Sequence, residues 1–122
     1  MQVTIYHNPK CGTSRNALAA IRAAGHEPRI VEYLKTPLSR DEIKGLLARL
    51  HLSVRDIVRK KEPLFAELGL DERDVGEDEI LDAMVEHPIL LNRPIVLTPK
   101  AARLCRPSEM VNDLLAAGAP TP

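Results

Sequence analysis

Two short β-prone runs, Val3-Thr4-Ile5-Tyr6 and Arg29-Ile30-Val31-Glu32-Tyr33-Leu34, stand on either side of a segment with helical spacing, and this alternation constrains the fold more than any other feature. Ala17, Leu18, Ile21 and Ala24 recur on one helical face, and Gly25 supplies a C-terminal stop. A helix linking two apolar strands is most simply a right-handed βαβ crossover, so the two strands are expected to run parallel. Between the first strand and the helix lies His7-Asn8-Pro9-Lys10-Cys11-Gly12, whose Pro and Gly interrupt regular structure. Ser14 is read as the cap of the helix that follows.

The remainder of the chain completes a mixed sheet. Ser39 and Glu42 form a capping box ahead of Ile43, Leu46, Leu47 and Leu50. From about 53 to 87 the pattern is helical throughout, with no strand expected. The acids Asp71, Glu72, Asp74, Glu77, Asp78 and Glu79 read there as a solvated helix start without a catalytic part. Ile95-Val96-Leu97, a turn at Thr98-Pro99-Lys100 and Ala101 to Cys105 make a hairpin. Pro107 is placed as the first residue of a last helix, whose face is Met110, Val111, Leu114 and Leu115, before Gly118 and the Pro120-Thr121-Pro122 end. The order βαβ, helical insert, ββα predicts one α/β domain over 1–122. Its expected architecture is a thioredoxin-like mixed four-stranded sheet flanked by helices.

Composition removes several function classes. At 122 residues and 44% hydrophobic content the chain can line a core without metal or disulfide staples. With two Tyr, one Phe and no Trp it offers no platform for base stacking, and 17 basic against 17 acidic residues gives no broad field for nucleic acid or anionic membrane. No segment has the apolar length of a membrane span and no secretory leader is evident, so a cytoplasmic setting is expected. The two cysteines, Cys11 and Cys105, lie near opposite ends of the chain, which is neither a disulfide framework nor a zinc spacing, and no metal site is expected.

Cys11 carries the chemistry. At the junction of strand and helix, backbone N–H groups and the positive end of the helix dipole favour an anion, and the thiolate is the reactive form of Cys. Gly12, Thr13 and Ser14 add close backbone approach and hydrogen-bond donors, and His7 is placed to contribute a donor or a positive charge. Ser14 stands where a dithiol site would have its resolving Cys, so turnover needs another thiol. An external one is favoured, because Cys105 reads as a small buried hydrophobe. Three arginines form a second theme. Arg59, Arg93 and Arg106 are suited to fork-like recognition of a tetrahedral oxyanion if the fold brings them to the sulfur. Pro94, at the entrance of the third strand, is the expected cis-proline facing Cys11.

These residues resemble the glutaredoxin-coupled arsenate reductases. The matching stretches are Ile5-Tyr6-His7-Asn8-Pro9 with Cys11-Gly12-Thr13-Ser14-Arg15-Asn16, then Ser53-Val54-Arg55 through Arg59-Lys60, then His87-Pro88-Ile89-Leu90 with Asn92-Arg93-Pro94-Ile95-Val96, and finally Arg103-Leu104-Cys105-Arg106-Pro107-Ser108-Glu109. The resemblance implies that Cys11 attacks arsenate while Arg59, Arg93 and Arg106 hold the oxyanion and His7 helps keep the thiolate available. It further implies that glutathione attacks the Cys11–arsenic adduct as a co-substrate, with no bound cofactor. Glutaredoxin then resolves the mixed disulfide and arsenite is released from a monomeric enzyme. Two rival readings remain at this point: a redox-responsive regulator of the same fold that binds RNA polymerase, and a general glutathione-dependent thiol oxidoreductase. The regulator fits less well, since such proteins carry a Cys-x-x-Cys switch and Ser14 occupies its second position.

Overall fold

The computed structural model describes residues 1–72 and 74–118. In chain order the elements are β1 (Thr4–Tyr6), α1 (Gly12–Ala23), β2 (Arg29–Val31), α2 (Arg40–Leu50), α3 (Val54–Ile57), α4 (Pro63–Glu67), α5 (Glu77–Glu86), a 3-10 turn (Pro88–Leu90), β3 (Ile95–Leu97), β4 (Ala102–Leu104) and α6 (Met110–Gly118). They group into two compact units, one formed by residues 1–36 with the chain from 93 onward and the other by residues 37–92. The 53–87 helical insert expected from sequence falls inside the second unit, which also holds α2.

The first unit holds the sheet, ordered β2-β1-β3-β4. β1 and β2 are parallel, as the crossover predicted, with Ile5 opposite Ile30, and β1 pairs antiparallel with β3, Ile5 opposite Val96. β3 and β4 close the hairpin, Val96 opposite Arg103. This is the thioredoxin-like arrangement of a mixed four-stranded sheet with helices packed on it. Alternation along β1 sends Val3 and Ile5 to one face. There they meet Ala17 and Ile21 of α1, Val96 of β3, Cys105, and Val111, Leu114 and Leu115 of α6 in a single apolar cluster. α1 ends where Gly25 takes a left-handed φ of 90°, a conformation that costs a glycine nothing.

Two boundaries differ from the sequence reading. Ser14 does not cap α1: the helix begins at Gly12 with Cys11 as its N-cap, and Cys11 O accepts the first intrahelical bond from Arg15 N at 3.0 Å. Pro107 does not open α6, which starts at Met110. Residues 107–109 form a lead-in whose carbonyls accept from the amides three positions on, Met110 N to Pro107 O at 3.1 Å and Val111 N to Ser108 O at 3.1 Å. The Pro120-Thr121-Pro122 end lies outside the described residues.

In the second unit Ser39 makes the expected capping box, its Oγ accepting from Glu42 N at 3.1 Å while Glu42 Oε1 accepts from Ser39 N at 3.2 Å. Ile43, Leu46 and Leu50 of α2 are buried, as are Val54 and Ile57 of α3, Phe65 of α4 and Ile80, Leu81 and Met84 of α5. The acidic run supplies Glu77, Asp78 and Glu79 to the first turn of α5, where the helix dipole favours them. Asp78 and Asp82 have a further role, since the Arg40 guanidinium of α2 bonds both and ties the two helices together. Among the described residues no strand forms over 53–87, but Val58 makes an isolated antiparallel bridge with Leu91.

Candidate active site

The register of the β3–β4 hairpin explains why two distant arginines meet. Ile95 stands opposite Leu104. Carried past the strand ends, the same register sets Pro94 against Cys105 and Arg93 against Arg106. Cys105 N donates to Pro94 O at 2.9 Å, and Arg106 Nη1 donates to Arg93 O at 2.7 Å. The Arg93–Pro94 peptide is cis, as expected for this position, and so is Arg106–Pro107. Arg93 is buried with 8% of its surface exposed, so its charge sits where water screens it little.

Cys11 lies against this pair. Its backbone N–H donates to Asn8 O at 3.0 Å, fixing the end of the β1–α1 loop. Its sulfur lies 3.8 Å from Arg106 Nη1. Burial by itself pushes the thiol's pKa up. The Ser14 backbone N–H, the Arg93 and Arg106 side chains and the Arg93 charge outweigh it, bringing the pKa from 9.0 down to about 7. Gly12, Thr13 and Ser14 form the first helical turn, whose amides have no earlier helix carbonyl to bond and are therefore suited to an anion. A Cβ on Gly12 would meet only the Arg15 guanidinium, at an ordinary 3.6 Å.

His7 and Ser14 form a buried pair next to the Cys11 loop. His7 Nδ1 and Ser14 Oγ are 2.6 Å apart, and Ser14 Oγ also accepts from Asn8 N at 3.1 Å. Burial lowers the His7 pKa, with Arg15 and Arg22 adding to the effect and Glu32 opposing it. His7 is therefore neutral near pH 7, and the positive charge beside the thiolate comes from Arg93 and Arg106. Asn8 takes a part that the sequence reading left unassigned: it is 2% exposed, and its Oδ1 accepts from Lys10 N at 3.0 Å. An Asn ahead of Pro is the available signal for such a turn.

Cys105 is fully buried, and burial pushes its thiol up to about 11 although Arg103 opposes it. Both cysteines are free. Arg59 belongs to the second unit, where its N–H donates to Leu90 O at 2.7 Å and its Nη1 to Asn92 Oδ1 at 3.4 Å. Among the described residues no cluster of three His, Cys, Asp or Glu is arranged to hold a metal ion, and no helix is long and apolar enough to cross a membrane.

The arrangement in the first unit is a stabilised thiolate at a helix N-terminus with two guanidiniums beside it, suited to attack on a centre that carries anionic oxygens. Known proteins point the same way. An arsenate reductase of Rhizobium meliloti (strain 1021) is 59% identical over 115 residues, covering 94% of this chain and 82% of its own. An arsenate reductase of Escherichia coli (strain K12) is 54% identical over 113 residues, 93% of this chain and 80% of that one. The solved arsenate reductase from Vibrio cholerae superposes with a TM-score of 0.88 at 44% identity, covering 93% of this chain and 97% of its own. The model of the ArsC family matches residues 6–114, nearly the whole chain, and the protein belongs to that family.

Proposed function

We propose that the protein is an arsenate reductase that works through a Cys11–arsenic adduct with glutathione and glutaredoxin as reductants. The observation that carries this reading is the Cys11 sulfur at the N-cap of α1, with Arg106 Nη1 at 3.8 Å and a pKa lowered to about 7. Near pH 7 about half of such a thiol is ionised, against about one part in a hundred at a pKa of 9.

The Cys11 thiolate attacks arsenic, an S–As bond forms and one oxygen of arsenate leaves as water after taking up protons. Arg93, Arg106 and the first-turn amides of α1 offset the charge on the remaining oxygens. Glutathione thiolate then attacks the Cys11 sulfur. The S–As bond breaks with its electron pair passing to arsenic, which falls from the pentavalent to the trivalent state, while the two sulfurs are oxidised to a mixed disulfide and arsenite departs. Glutaredoxin takes the glutathionyl group by thiol–disulfide exchange and returns Cys11 as the thiolate. Neutral His7 is a positioning residue that acts through Ser14. On the sequence match alone, Arg59 is proposed as a third guanidinium for the oxyanion. A cycle that consumes glutathione belongs in a reducing cytoplasm, and the enzyme is proposed to act as a monomer.

Purified protein given arsenate, glutathione and glutaredoxin should form arsenite, and Cys11→Ser should not. Arsenite formation undiminished in Cys11→Ser would overturn the mechanism. Arg59→Ala is expected to raise the KM for arsenate with the KM for glutathione unchanged.

A further inference from the structure

We propose that glutathione is held in a groove of the first unit lined by Asn8, Pro9, Lys10, Glu32, Leu34 and Lys35, with a volume of about 200 Å³. This inference rests on the glutathione dependence proposed above and assigns the place where that second thiol waits.

The position follows from topology. β1 and β2 are parallel, so the loops that follow them emerge at the same carboxyl end of the strands, the end where open α/β sheets bind ligands. His7 N donates to Val31 O at 2.9 Å, which carries the pairing one step past the strands and sets the two loops side by side. Each loop is braced by its own bonds. Lys10 N donates to Asn8 Oδ1 at 3.0 Å, and Lys35 N and Thr36 N both donate to Glu32 O, at 2.9 and 3.0 Å. The groove is thus preformed, and a ligand does not have to order it.

Its chemistry matches one class of occupant. Glutathione at neutral pH carries two carboxylates, one ammonium and a thiol on a short methylene arm. The groove presents two cations, Lys10 and Lys35, one carboxylate, Glu32, and an apolar surface from Pro9 and the exposed Leu34. Glu32 Oε1 and Lys35 Nζ are 3.7 Å apart, with Lys35 exposed and Glu32 half-buried, a pairing that is cheap to exchange for ligand partners. Lys10, which lines the groove, directly precedes Cys11, so their Cα atoms are about 3.8 Å apart, and a tripeptide spans up to about 11 Å. A thiol anchored by its terminal charges in this groove lies within reach of the Cys11 sulfur.

The test uses S-methylglutathione, which binds without reacting, titrated into the whole protein and followed by amide NMR. Shifts are expected at Lys10, Leu34 and Lys35, and the double variant K10E/K35E is expected to weaken binding about tenfold by replacing attraction with repulsion. With arsenate saturating, the same variant should raise the KM for glutathione about tenfold, a larger change than for the uncharged thiol 2-mercaptoethanol. Absent shifts at these residues, or equal S-methylglutathione affinity in the folded double variant, overturns the assignment. Failure of wild-type protein to reduce arsenate with any thiol would instead overturn the proposed activity, and the titration reads the groove independently of it.

Discussion

Cys11 is ionised by its neighbours, and each neighbour can be removed alone. Replacing Arg106 by Ala deletes the Nη1 donor 3.8 Å from the sulfur, so the thiol's pKa should move from about 7 toward 9.0. The rate of Cys11 alkylation by iodoacetamide against pH measures this directly, with an inflection near 7 in wild type and a higher one in Arg106→Ala; coincident curves would reject the role. The sign carries over to stability. A thiol whose native pKa lies below its unfolded value binds fewer protons when folded, so its ionisation stabilises the fold fully above about pH 9 and the contribution is lost as pH falls through about 7. Ser14→Ala acts differently, because it strips buried His7 and the Asn8 amide of their shared partner, and unfolding by denaturant should register a loss of about 1–3 kcal/mol. At this scale residue type singled out Cys11, Arg93 and Arg106, since few side chains do thiolate or oxyanion chemistry, and the structure sets these three together, whereas Arg59 belongs to the second unit. The part played by Ser14 was not, because a hydroxyl near a helix start reads as a cap until the first intrahelical bond is located.

The elements that sequence located well are those whose determinants are local. The Ser39–Glu42 capping box, the left-handed Gly25 and the parallel β1–β2 crossover each depend on residues close together in the chain, and each is present. The start of α6 depended on more than the proline signal, and the helix begins at Met110 instead of Pro107. The meeting of Arg93 and Arg106 belongs to this scale as well: their separation in sequence says nothing, whereas the hairpin register sets them opposite each other. α1 owes its position to Ala17 and Ile21, both fully buried against Val3, Ile5 and α6. Ile21→Ala should cost about 2–5 kcal/mol by equilibrium unfolding, the range for deleting buried branched side chains, and a cost below about 1 kcal/mol would mean that the cluster collapses around the gap.

For the molecule as a whole, the question is where the second electron donor comes from. The chain holds two cysteines, and their environments are opposite: Cys11 is partly exposed with a pKa near 7, while Cys105 is fully buried with a pKa near 11, its sulfur 3.7 Å from Arg103 O. At pH 7 a thiol with a pKa of about 11 is ionised to about one part in ten thousand, so Cys105 is a negligible attacker beside the external thiol proposed above. It also packs with Val3, Ile5, Val96 and Val111 in the core of the first unit, where an apolar role explains it fully. Cys105→Ala should therefore retain arsenate reduction that depends on glutathione, with a modest loss of stability. Mass spectrometry of wild-type protein treated with arsenate and glutathione in the absence of glutaredoxin should find one glutathionyl group on Cys11 and no internal disulfide. Loss of turnover in folded Cys105→Ala, or a Cys11–Cys105 bridge in the treated wild type, would transfer the resolving role to the buried sulfur and remove the need for an outside thiol.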